Sequence, residues 1–304
     1  MTAEGMRVLP ALVLDQVARA IPPEARDNVV VIGSLASAYW LLADRRSIPV
    51  RTKDIDCVLS PRLTAVGKGL AVAVALHGAG WRQRTEGDFG KPGTSETPDN
   101  ELPAVRLIPP GGGDWFLEFL MEPVENQTTR QWERLALPSG DHYGIPSFPF
   151  TSVAIFDARM TEFGIRCALP EMMALAGLLE HSRIKDDFIE GDFIEGREVK
   201  RSNKDLGRVL AIAALTPSEK QEEWPGSWER VLRSCFPDRW REVARGTGAG
   251  LRALLTSPDD LQQAFDTSRN SLLADSRDVI NARQLGVVGQ RLLAFAIEPL
   301  EKMA

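Results

Sequence analysis

The sequence is poor in the residues that many metal, hydrolase and disulfide sites need. Its three histidines, His77, His142 and His181, fall in no HxH or HxxxH spacing, so a histidine-based metal centre or a Ser-His-Asp hydrolase is poorly supported. Three cysteines, Cys57, Cys167 and Cys235, are odd in number, far apart and without a CxxC pair. That pattern excludes a zinc knuckle or a redox pair and predicts buried free thiols in a reducing cytoplasm. No apolar run reaches the roughly 18 residues of a membrane span, and no charged stretch followed by an apolar one stands at the start. A cytoplasmic protein with no membrane partner is expected. An excess of positive charge is also lacking: 36 Lys and Arg face 42 Asp and Glu, for a net charge of −6. A surface that coats nucleic acid is thereby excluded, and any such contact has to be local.

What is present suffices for a folded protein. The chain has 304 residues, 43% hydrophobic and 26% charged, enough for one large or two ordinary domains with a sizeable core. Near the start, LPALVLDQVARAI has apolar residues at helical spacing. NVVVIGS, residues 28–34, is a β-branched run ending in Gly-Ser, which predicts a buried strand entering a tight turn; LASAYWLLADR then reads as a helix. After a break at Pro49, a strand within RTKDIDCVLS, residues 51–60, and a helix over residues 63–81 follow. ELPAVRLIPP and WFLEFLME predict two strands joined by GGGD. GDFGKPGTSETPDN, residues 87–100, is expected to be a mobile loop, and FTSVAIFDARMTEFGIRCALP to add two strands that close the sheet near residue 168.

Beyond Pro170 the pattern turns helical, through EMMALAGLLEHSR, KDLGRVLAIAAL, SWERVLRSCF, DDLQQAF and LGVVGQRLLAFAIEPLEKM. Pro170 and Glu171 suit a helix start. The fold class expected is α+β: a mixed sheet with flanking helices over residues 1–168, then a helical domain over 169–304. One internal repeat exists, DFIEG at Asp187–Gly191 and again at Asp192–Gly196. Its five-residue period is too short for a solenoid; it reads as a lengthened surface loop or, functionally, as an acidic lid.

Asp54 and Asp56 are the feature that asks for chemistry. On a strand, residues two apart point to one side about 7 Å from each other, so the two carboxylates share a face while Ile55 points to the core. Two such acids repel, and a divalent cation with a preference for hard oxygen ligands removes that cost. Alone, the pair also fits a solvated strand end partnered by Arg51 or Lys53. Some twenty residues earlier, Gly33-Ser34 ends a buried strand and opens a helix, where backbone N–H groups and a hydroxyl favour a phosphate; an ordinary N-cap serine fits as well. Glu118 is a lone acid between Leu117 and Phe119 in an apolar strand.

This order of elements resembles the nucleotidyltransferase fold of the DNA polymerase beta superfamily: apolar strand, Gly33-Ser34, helix, Asp54-Ile55-Asp56, and a later acid strand with Glu118. The back half is similar to the abortive-infection (AbiEii-like) nucleotidyltransferases, many of them toxins of toxin–antitoxin pairs, in its Pro-Glu helix start and in Lys204-Asp205. The chain departs from that pattern at Ala176-Gly177, where a lysine is usual, and at Arg208, where an acid is usual. The resemblance covers about residues 28–215.

It implies a nucleotidyltransferase-type sheet and a Mg²⁺-dependent transfer of a nucleotidyl group from an NTP to an acceptor hydroxyl on RNA, a tRNA end, a protein or a small molecule. It implies Asp54, Asp56 and Glu118 as catalytic metal ligands for one or two ions, with Gly33, Ser34, Lys204 and Asp205 at the nucleotide, and a cognate antitoxin as partner. The basic stretch GREVKRSNK, with Arg197, Lys200, Arg201 and Lys204, either contacts RNA phosphates or balances the acidic repeat beside it. The alternative from another class is a nucleotidyltransferase fold without catalysis, serving as a binding or regulatory module.

Overall fold

Strand β4, Asp54–Leu59, is the axis of the fold: it carries both aspartates and pairs along both edges. The structure is a computed structural model that describes residues 6–42, 50–52, 54–85, 90–112, 115–184, 188–194, 197–274 and 276–304. It divides into a sheet unit, Gly5–Ala36 with Thr52–Ala168, and a helical unit, Ser37–Arg51 with Leu169–Ala304. The front part comprises β1 Met6–Val8, α1 Pro10–Ala20, α2 Pro23–Arg26, β2 Val29–Val31, α3 Gly33–Leu41, β3 Val50–Thr52, β4, α4 Arg62–Gly78, β5 Arg82–Gln83, β6 Arg106–Ile108, β7 Phe116–Met121, β8 Gln131–Ala136, β9 His142–Ser147, α5 Thr151–Ala154, β10 Arg159–Met160 and β11 Arg166–Cys167.

Among the described residues, nine strands form one mixed sheet in the order β10-β11-β2-β4-β7-β6-β5, with β9 pairing β7 and β8. β4 runs antiparallel to β2 and parallel to β7. Alternation along β4 and β7 follows the two-residue period of a strand. Ile55, Cys57 and Leu59 with Leu117, Phe119 and Met121 are fully buried, whereas Asp54, Asp56 and Glu118 stay half-buried on the other face. Helix α4 packs on β4 and β8, burying Val72, Ala73 and Leu76. Two cysteines, Cys57 and Cys167, are buried as expected, and Cys235 is half-buried. Burial pushes both buried thiols up in pKa, with the Asp56 charge adding to it at Cys57.

Where it is described, from residue 90 on, the segment expected as a loop over residues 87–100 is a loop, held to the sheet at several points. Gly93 and His142 exchange backbone hydrogen bonds of 2.9 and 3.1 Å, and Arg134 of β8 donates to the Thr94 and Thr97 carbonyls and to Asp99. A guanidinium with five fixed donors ties this segment to the hairpin. The β8–β9 hairpin itself was not expected; FTSVA forms the short helix α5, and the two strands expected before residue 168 are β10 and β11, with β11 pairing β2.

The helical unit includes α6 Pro170–Ile184, β12 Phe188–Ile194, β13 Arg197–Lys200, α7 Arg201–Leu215, α8 Ser218–Gln221, α9 Trp224–Cys235, α10 Trp240–Gly246, α11 Ala249–Thr256, α12 Pro258–Arg269, α13 Ala282–Leu292, a π-helical turn Leu293–Ile297 and α14 Glu298–Met303. Helix α7 is gripped on two sides through glycines. A side chain at Gly177 of α6 would meet Val209 at 2.8 Å, and one at Gly207 of α7 would meet the Ala264 carbonyl at 2.6 Å. Gly177 therefore has a packing reason to lack a side chain. The repeat is not a plain loop: its described part is β12, antiparallel to β13 with a register shift between Phe188 and Phe193. The repeat's ends, Asp187 and Gly196, lie outside the described residues, as does Lys53.

Candidate active site

Register lines the acids up. On β4 and β7, Asp54 is the partner of Phe116 and Asp56 the partner of Glu118; on β6, Arg106 is the partner of Glu118. Asp56, Glu118 and Arg106 thus form one row across three adjacent strands, spaced by about 4.8 Å per strand. Ile32 donates its N–H to the Asp56 carbonyl at 2.9 Å, which brings the start of α3 to the other end of that row.

Gly33 is where the local sequence decides the geometry. Its φ of +80° is one that L side chains rarely adopt, and a Cβ there would sit 3.1 Å from Asp56 Oδ2. Only glycine gives both the turn from β2 into α3 and the close approach of backbone to carboxylate. Ser34 follows in the first turn of α3, half-buried. Gly33, Asp54, Asp56 and Glu118 accordingly belong to one face of the sheet unit.

Glu118 has a partner. Arg106 Nε donates to Glu118 Oε2 at 2.6 Å, with the carboxylate side chain 15% exposed and the guanidinium 28%. Burial pushes the Glu118 carboxyl above the usual range, with Asp54 adding to the rise and Arg106 and Arg130 opposing it. Arg84 and Arg106 lie over the Phe116 ring at 4.9 and 5.6 Å, and Arg130 lies over Trp132 at 4.0 Å and Phe148 at 5.2 Å. The face is acidic on β4 and becomes basic toward β6 and β5. Arg84, Arg106 and Arg130 did not figure among the expected site residues. Arg106 was open to inference, because a hairpin centred on Gly112 sets residue 106 opposite residue 118.

Lys204 and Asp205 lie in the first turn and a half of α7, in the helical unit, both half-buried. Asp205 pairs with Arg208 one turn on, at 3.7 Å. Of the basic stretch, Lys200 has a structural partner: its Nζ is 3.0 Å from Asp260, which also accepts from Asn203 at 2.9 Å.

The residues fit one divalent cation better than a cluster of them. Asp54 and Asp56 offer hard oxygens on one face, and glycine at position 33 lets the start of α3 approach the Asp56 carboxylate closely. Among the described residues, however, no three His, Cys, Asp or Glu side chains stand together as a group that could hold a metal ion.

Comparison with known proteins adds a loose likeness. No family model matches the chain, and no curated protein matches it. Among solved structures, the chain is similar to the crystal structure of an antigenic nucleotidyltransferase-like protein from Paracoccidioides brasiliensis, at 14% identity over 86% of this chain and 94% of that one, with a TM-score of 0.38. A superposition that loose leaves the site to be read from its own geometry. No helix among the described residues is long and apolar enough to cross a membrane.

Proposed function

We propose that the chain is a Mg²⁺-dependent nucleotidyltransferase. The observation that carries the reading is the row from Gly33 to Asp56 to Glu118: a glycine turn at a helix start, set against a carboxylate that shares its face with Asp54. Bound at Asp54 and Asp56, Mg²⁺ supplies neutralisation of triphosphate charge and a template for in-line displacement at the α-phosphorus. The chain's own residues do the rest. Asp54 and Asp56 are held 2 residues apart on a strand paired along both edges, so their geometry is fixed before substrate arrives. Gly33 and Ser34 present N–H groups and a hydroxyl at the start of α3, where phosphate oxygens are favoured. Lys204 and Asp205 enter through the family resemblance, as a phosphate-binding lysine and its neighbour. The acceptor is an RNA or tRNA end, a protein or a small-molecule hydroxyl, and a toxin role with a cognate antitoxin belongs to the same resemblance.

A second reading has one observation in its favour: the Glu118 carboxylate is bonded to Arg106, as suits a nucleotide-binding module without catalysis. Incubation with Mg²⁺, each labelled NTP and total cellular RNA or protein separates the two. The enzyme reading predicts label on an acceptor with wild type and none with Asp56→Ala; nucleotide binding without any transfer supports the module.

A further inference from the structure

We infer that Arg106 is a positioning residue that stands in place of a second metal ion, so that the site takes one divalent cation, at Asp54 and Asp56, while Glu118 is held off it as the partner of Arg106. The inference rests on the proposed reading of Asp54 and Asp56 as metal ligands. Three observations carry it. Arg106 and Glu118 are direct register partners on β6 and β7, so the pairing is set by the backbone and not by a chance side-chain rotamer. The guanidinium donates to Glu118 at 2.6 Å and lies over the Phe116 ring at 5.6 Å, while the Arg106 backbone N–H is bonded to Gln83 Oε1 at 3.3 Å. Finally, among the described residues no three acids gather as a dinuclear site needs.

The electrostatics agree with the geometry. A dinuclear site needs carboxylates that bridge two dications roughly 3.5–4 Å apart. A fixed guanidinium on one of those carboxylates repels a second dication and already supplies a positive charge in that place. Arginine is always protonated, so the substitution holds at every working pH.

Mn²⁺ is the probe, because two such ions at bridging distance couple magnetically while a lone ion gives a six-line electron paramagnetic resonance spectrum. Titrating the full chain with Mn²⁺, wild type is expected to bind one ion with the uncoupled signature. Arg106→Ala is expected to bind a second ion and to show coupling, and Arg106→Lys to return to one. Glu118→Gln is expected to leave the affinity for the first ion within about twofold, and decides the matter if Arg106→Ala does not fold. Two coupled ions in wild type, a single ion in folded Arg106→Ala, or a tenfold loss of affinity in Glu118→Gln overturns the inference. No Mn²⁺ bound by wild type, or binding that survives Asp56→Ala undiminished, instead removes the underlying reading and the inference with it.

Discussion

A Cβ at Gly33 would lie 3.1 Å from Asp56 Oδ2, on a backbone whose φ is +80°. One glycine therefore joins the helix start to the carboxylate. Gly33→Ala is expected to cost about 1–2 kcal/mol in backbone strain and to displace the Asp56 carboxylate. Gly111 makes the control: its φ is +89° with nothing within 4 Å of an added Cβ. Gly111→Ala should show a similar loss in urea denaturation while keeping Mg²⁺-dependent nucleotide binding, whereas Gly33→Ala should lose both.

Helix α7 gives a second prediction, about packing. An added Cβ at Gly207 would meet the Ala264 carbonyl at 2.6 Å, whereas one at Gly226 in α9 meets nothing within 4 Å. Gly207→Ala should destabilise by about 1–3 kcal/mol, as overpacking does. Gly226→Ala should be neutral or stabilising by up to about 1 kcal/mol, since alanine is the better helix former. Urea denaturation of both variants checks the contrast.

Asp260 makes stability depend on acid. Burial alone raises its pKa, but hydrogen bonds from Asn203, Lys200 and Ser257 outweigh it and hold the carboxyl below the usual range. A lowered folded pKa gives a contribution fully present above the unfolded value of about 3.9 and lost as pH falls through the folded value. Asp260→Asn should be less stable than wild type near neutrality by about 1 kcal/mol. Thermal melts should show that gap closing below about pH 4; a gap that widens on acidification contradicts the assignment.

Arg134 pins residues 94–99 to β8 and contacts His142 Nδ1 at 3.1 Å. Arg134→Met should expose this segment to limited proteolysis several-fold faster than in wild type, with the sheet's melting transition little changed.

Much of the site was legible because strands report their own faces. Asp54 and Asp56, two apart with Ile55 between them, gave the acid face of β4 from period alone, whereas Glu118 joined them through the family resemblance. The helices from Pro170 onward, apart from α8, α10 and α11, were legible in the same way. Pairing between distant strands was not: the parallel register of β4 on β7, which sets Asp56 beside Glu118, spans some sixty residues. The β8–β9 hairpin escaped because Pro138, Gly144 and Pro146 interrupt its alternation. The tandem DFIEG looked like a loop because its glycines hid a β-branched strand that finds its partner only in REVK.

The most direct test of the account labels the two ends of the triphosphate separately. With Mg²⁺ and total cellular RNA or protein as acceptor, label on the α-phosphorus should appear on the acceptor and label on the γ-phosphorus should leave as pyrophosphate, and Asp56→Ala should abolish both. Transfer of the γ-label, or α-label transfer that survives Asp56→Ala, contradicts a nucleotidyltransferase built on Asp54 and Asp56.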